Sequence, residues 1–121
     1  MTSRSSVQQG ILLQAVEEVA RLTGQVAMRH YRTRLDVETK GDGSPVTIAD
    51  RAAEEAARAW ISERFPQDAV LGEEFGATGD EGERRWILDP IDGTKTFVRG
   101  VPLWGTLVAV AAPSDPLLMT M

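Results

Sequence analysis

The stretch Trp86-Ile87-Leu88-Asp89-Pro90-Ile91-Asp92-Gly93-Thr94 decides how this chain is read. An apolar run ends in two carboxylates three residues apart, and a Gly-Thr turn follows. A buried strand ending in this way delivers hard oxygen ligands at its exit. Pro90 has no N–H and fixes the backbone between the carboxylates. The i to i+3 spacing can aim Asp89 and Asp92 at one cation, with Ile91 offering its carbonyl rather than its side chain. The competing reading is a plain turn in which Asp caps a following helix. Upstream, Gly72-Glu73-Glu74 follows another apolar run and adds a second acidic loop. Carboxylate and carbonyl oxygens are what Mg²⁺ takes as ligands, and Mg²⁺ in turn holds substrate phosphates.

Around that stretch several residues have two readings each. Gly93 and Thr94 stand where a helix begins, so their backbone N–H groups can receive a phosphate; the alternative is an ordinary Gly-Thr turn. Glu73 can ligate a metal and polarise an attacking water, or be a solvated loop glutamate. Asp50 can stabilise a helix N-terminus through the macrodipole, or bond to Thr94 from behind the site. Lys40 and Lys95 can reach a phosphate, or remain solvated surface lysines. Trp60, Trp86 and Trp104 read as packing residues, and His30 is given no role.

The rest of the chain supplies the frame. From Val7 to about Arg32, apolar residues recur at helical spacing (Ile11, Leu12, Ala15, Val16, Val19, Leu22, Val26 and Ala27 among them), which predicts a long amphipathic helix. Residues 1–6 read as a disordered N-terminus. Leu35 to Thr39 alternates as a short strand does, and Lys40-Gly41-Asp42-Gly43-Ser44-Pro45 is turn chemistry. Thr47 caps a second, Ala-rich helix with Asp50 at its third position, and Pro66 follows its end. Ala69 to Leu71, Arg85 to Leu88 and Leu103 to Ala112 read as strands, with a Gly-rich loop at 76–82 and a short helical turn near Thr94. That order favours an α+β arrangement of helices layered on a sheet.

Composition narrows the function. The 121 residues are 42% hydrophobic and 26% charged, with net charge −5 and no basic footprint for nucleic acid. Residues 73–83 hold Glu73, Glu74, Asp80, Glu81 and Glu83 without a basic residue; such a run is a solvated loop or part of a cation site. There is no cysteine and one histidine, which excludes disulfides, thiolate zinc sites and multi-histidine sites within the chain. No apolar run reaches membrane-spanning length, and Met1 to Gln9 lacks a signal core. The expectation is a cytoplasmic protein acting on a small phosphorylated metabolite, with neither nucleic acid nor membrane as partner.

Three segments carry a family resemblance: Pro45-Val46-Thr47-Ile48-Ala49-Asp50, Gly72-Glu73-Glu74, and Trp86 to Gly100. Over about residues 7–110 the chain resembles the N-terminal half of the inositol monophosphatase-like, Mg²⁺-dependent, lithium-sensitive phosphatases. The resemblance implies an α+β fold: helices on a mainly antiparallel sheet, the N-terminal half of an αβαβα sandwich. It divides the chain into the N-terminus at 1–6, a metal-site half of a sugar-phosphatase-like domain at 7–112, and an atypical tail at 113–121. Carried over by position, it implies that Glu73 and Asp89 hold a first Mg²⁺ together with the Ile91 carbonyl. Asp89 would bridge to a second Mg²⁺ held also by Asp92. Glu73 and Thr94 would position and deprotonate the attacking water, with Asp50 supporting Thr94, and Asp92, Gly93 and Thr94 would contact the substrate. The implied reaction is direct in-line hydrolysis of a phosphate monoester without a phospho-enzyme.

Within that family, Lys95 and the stretch Phe97-Val98-Arg99-Gly100-Val101-Pro102-Leu103-Trp104 are most similar to bacterial histidinol-phosphate phosphatases, as is Lys40 to Thr47. The implied reaction is histidinol phosphate to histidinol plus phosphate, in histidine biosynthesis. Inositol monophosphatase and phosphoadenosine phosphatase are the alternatives, and homodimers are common in the family. Thr96 departs from the family's usual Asn. The resemblance also implies a chain cut short: a further Asp ligand and most leaving-group contacts belong to a C-terminal region, and Asp115 sits in a turn-like Pro-Ser-Asp-Pro context. The tail from Ala112 is not expected to continue the family's strand, hairpin and strand. A truncated, non-catalytic fragment that binds metal or associates with another chain is therefore a second reading. A haloacid-dehalogenase-type phosphatase fits less well, since its two Asp are two apart and Gly-Glu-Glu has no place in it.

Overall fold

The computed structural model describes residues 2–33, 37–39, 45–80, 84–112 and 115–120. The predicted turn at 40–44, with Lys40, and the acidic residues Glu81 and Glu83 lie outside them. Helix α1 (Thr2–Met28) and helix α2 (Ile48–Arg64) cover one face of a five-stranded sheet. The sheet has the order β4 (Gly76–Thr78), β3 (Ala69–Gly72), β5 (Arg85–Asp92), β6 (Gly105–Ala112), β7 (Asp115–Thr120). Only β3 and β5 run parallel; the other neighbours are antiparallel. A separate ribbon pairs β1 (Val37–Thr39) with β2 (Pro45–Thr47), and helix α3 (Thr94–Val98) follows β5. This is the expected α+β layering.

Period-two alternation sorts the sheet's side chains. Val70, Trp86, Leu88, Val108 and Val110 point at the helices and are buried, while Leu71, Ile87 and Leu107 lie on the opposite, exposed face. From α1 come Leu12, Ala15, Val16 and Val19; from α2 come Ala57 and Ile61. Along α2, Ala49, Ala53, Ala57 and Ile61 recur every four residues and all are 0% exposed. Four-residue steps keep them on one face, and three methyl side chains let the backbone approach its neighbours closely. A second cluster, of Val26, Ala27, Ala49, Ala53, Ile91 and Phe97, lies under the end of β5. Tyr31 and Trp104 pack against Phe97 there, with ring centroids 5.4 and 4.8 Å away. The rigid floor of the candidate site is this second cluster.

Four elements differ from the sequence expectation. Helix α1 starts at Thr2, within the stretch expected to be disordered, because extending a formed helix costs far less than nucleating one. The Gly-rich loop contains β4, which pairs with β3 through Val70 opposite Thr78 and Gly72 opposite Gly76. Strand β5 runs on through the acidic turn to Asp92. The tail forms β7, antiparallel to β6, so a strand and its return partner are present where the pattern was expected to lapse.

Candidate functional site

Parallel pairing of β3 and β5 places Gly72 opposite Leu88, and the Glu73 N–H donates to the Leu88 carbonyl at 3.3 Å. The ladder therefore carries on one residue past β3, and Glu73 lies beside the start of Asp89-Pro-Ile-Asp. Both strands deliver their acidic residues at the same edge of the sheet, the carboxyl ends of adjacent parallel strands.

A bulge sets the relation of Asp89 to Asp92. On β6, Asp89 pairs with Leu107 and Asp92 with Gly105. Three steps along β5 thus match two along β6, so β5 carries one extra residue. In a regular strand an odd spacing would send the two carboxylates to opposite faces. The extra residue brings Asp92 back to the face of Asp89, while Pro90 and Ile91 are both buried. The Thr106 hydroxyl donates to the Pro90 carbonyl at 2.7 Å and ties the bulge to β6.

Chain direction then changes at Gly93, whose φ of 93° and ψ of 45° lie in the left-handed region that glycine enters without steric cost. Helix α3 begins at Thr94. Thr94 Oγ1 lies 3.0 Å from Asp50 Oδ2 and 3.2 Å from the Ile91 carbonyl. Asp50 is 1% exposed and reaches Thr94 from the first turn of α2. Its other oxygen, Oδ1, accepts from the Thr47 N–H at 2.8 Å and the Thr47 hydroxyl at 2.6 Å. Thr47 and Asp50 form a reciprocal capping box. One carboxylate thus bonds both the start of α2 and the Thr94 hydroxyl.

Thr96, given no role in the sequence, lies 2.8 Å from the Gly93 carbonyl and 2.6 Å from the Leu103 carbonyl. Its hydroxyl fastens α3 to the segment leading into β6. Trp86 and Phe97 are core residues at 0% exposure, and Lys95 is exposed.

Glu73, Asp89, Asp92 and the Ile91 carbonyl make an all-oxygen donor set, which fits a hard divalent cation in its chemistry. Among the described residues, no three His, Asp or Glu side chains stand close enough to enclose a metal ion. The carboxylates share an edge, and an ion would have to draw them together. Among the described residues, no helix is long and apolar enough to cross a membrane.

Residues 9–118 match the model of the inositol monophosphatase family. Over 76 residues the chain is 59% identical to a histidinol-phosphatase of Streptomyces coelicolor, covering 63% of this chain and 28% of that protein. A histidinol-phosphatase of Chlorobaculum parvum is 46% identical over 99 residues, 81% of this chain and 38% of its own length. The crystal structure of the extragenic suppressor protein suhB from Bartonella henselae superposes with a TM-score of 0.78 at 27% identity, covering 92% of this chain and 43% of that one. The chain thus spans less than half the length of these relatives. It belongs to the inositol monophosphatase family.

Proposed function

We propose that this chain carries the metal and phosphate site of a Mg²⁺-dependent phosphate monoester hydrolase, with histidinol phosphate as substrate. The observation that carries this reading is the bulge in β5, which sets Asp89 and Asp92 on one face beside Glu73, next to a Thr94 locked by Asp50. The substrate is argued from the histidinol-phosphatases it resembles.

In this reading Glu73, Asp89 and the Ile91 carbonyl would hold one ion, and Asp89 with Asp92 would hold a second. Bound there, Mg²⁺ supplies positive charge for the attacking water and for the departing oxygen. The chain's own residues do the rest. Thr94 commits its hydroxyl hydrogen to Asp50 or the Ile91 carbonyl, so towards a water it offers lone pairs and acts as an acceptor. Glu73 takes the water's proton. The amides of Gly93, the N-cap of α3, and of Thr94, its first residue, receive phosphoryl oxygens, since the amides that open a helix have no partner within it. No side chain takes up the phosphoryl group. We place the protein in the cytoplasm, acting on a diffusible metabolite.

The test is release of inorganic phosphate from histidinol phosphate, inositol monophosphate and phosphoadenosine phosphate, each with and without Mg²⁺ and with added Li⁺. Mg²⁺-dependent, Li⁺-inhibited release greatest for histidinol phosphate supports the proposal. Release that ignores chelation of Mg²⁺ contradicts it.

One observation favours a second reading, association with another chain without turnover: Leu71, Ile87 and Leu107 stand 36–50% exposed on adjacent strands of the open sheet face. Sedimentation of a homogeneous dimer with no phosphate release from any of the three substrates would favour it.

A further inference from the structure

Glu54 is a glutamate at 0% exposure that the proposed reaction does not use. It lies four residues beyond Asp50 on α2, one helical turn along the same face. Its Oε1 accepts the Glu74 N–H at 2.8 Å, and its Oε2 accepts the Phe75 N–H at 3.0 Å and the Arg58 Nε at 2.8 Å. Arg58 in turn donates to the Gly76 carbonyl and, at 3.3 Å, to the Thr78 hydroxyl. One carboxylate and one guanidinium thus grip the whole turn from Glu74 to Thr78. Gly72 makes room for this: a Cβ there would fall inside the Glu54 carboxylate. Burying a carboxylate is costly unless its oxygens are satisfied, and here both oxygens are spent on the turn that follows Glu73.

We infer that Glu54 is the positioning residue for Glu73. Helix α2 presents two buried carboxylates one turn apart, each bonded to one of the two segments that build the site. Asp50 fixes Thr94 after β5, and Glu54 fixes the turn after β3. With the Glu74 and Phe75 amides held on one side and the Glu73 N–H held by Leu88 on the other, the backbone that carries Glu73 is pinned at both ends beside Asp89. This inference rests on the proposed metal-ligating role of Glu73. It adds that the affinity of the site is set from α2, by a residue that touches neither ion nor substrate.

The experiment is Mn²⁺ binding to the 121-residue chain at 25 °C, followed by electron paramagnetic resonance, for wild type, Glu54→Gln, Gly72→Ala and Glu73→Gln. Folding is checked by circular dichroism, and exchange of the Glu74 and Phe75 amides by NMR. Expected is a loss of about tenfold or more in Mn²⁺ affinity for Glu54→Gln, the size usual for residues that orient metal ligands, with faster exchange of both amides. Gly72→Ala keeps every acid and displaces the Glu54 carboxylate, so it gives the same loss and stands in if Glu54→Gln does not fold. A structural role alone would lower the melting temperature and leave Mn²⁺ affinity unchanged. Native affinity in folded Glu54→Gln and in Gly72→Ala, with Glu73→Gln weakened, overturns this inference alone. A wild type that binds no Mn²⁺, or Glu73→Gln binding as wild type does, overturns the metal reading of Glu73 and this inference with it.

Discussion

Thr94 Oγ1 lies 3.0 Å from Asp50 Oδ2, joining residues 44 positions apart. The other oxygen of the same carboxylate closes the capping box of α2. One side chain therefore couples the start of a core helix to the site hydroxyl, and a change at Asp50 disturbs both.

Replacing Thr94 separates the hydroxyl from its volume. Under the proposed reaction, Thr94→Val keeps the shape and removes the acceptor for water, so turnover should fall by about 100-fold or more, the scale of lost proton-transfer assistance. Thr94→Ser keeps the hydroxyl and should retain most of the rate. Steady-state phosphate release from histidinol phosphate measures both, and equal rates in Val and Ser would remove Thr94 from the chemistry.

The capping box should be worth what buried caps usually are. Thr47→Ala is expected to lower unfolding free energy by about 1 kcal/mol. Asp50→Ala, which strands buried donors of Thr47, should cost about 1–3 kcal/mol. Because the two share hydrogen bonds, the double variant should lose less than the sum. Urea unfolding of the four chains reads this directly, and strict additivity would break the pairing.

Gly93 should resist substitution. At φ 93° a Cβ would meet the Leu103 carbonyl at 3.0 Å and the Thr96 hydroxyl at 3.1 Å. Left-handed backbone alone costs a non-glycine residue about 1–2 kcal/mol. Gly93→Ala should thus lose at least that much in urea unfolding, and a neutral result would mean that the turn into α3 relaxes freely.

Trp86 anchors the core beneath β5. It is 0% exposed, its ring centroid is 5.5 Å from that of Phe65, and its indole Nε1 donates to Asp68 Oδ2 at 2.8 Å. Trp86→Ala should cost about 3–5 kcal/mol. Trp86→Phe should cost less, since Arg84 Nε still donates to the same Asp68 oxygen at 2.9 Å. Equal losses in thermal unfolding would mean that the hydrogen bond rather than the ring carries the stability.

Short-range spacing made much of this legible in the sequence. Thr47 and Asp50 stand three apart before an Ala-rich run, which is enough to foresee the capping box, and the Asp-Pro-Ile-Asp-Gly-Thr string stands at the end of an apolar run. What escaped the sequence was set by partners distant in it. The bulge shows only when Asp89 and Asp92 are paired with Leu107 and Gly105. Glu54 drew no notice in the sequence, because its contacts with Glu74 and Phe75 come from tertiary packing. Strand β4 was hidden by Gly76, which opens it, and Gly79, which follows it, since glycine weakens local strand preference until β3 supplies a ladder.

If the bulge makes Asp89 and Asp92 parts of one cation site, neutralising either carboxylate weakens that site. Calorimetric titration of Mg²⁺ into wild type, Asp89→Asn and Asp92→Asn tests it most directly. Saturable binding to wild type is expected, with affinity at least about tenfold weaker in each variant, since losing even an orienting partner of a ligand has that effect. Unchanged Mg²⁺ affinity in both variants would contradict it.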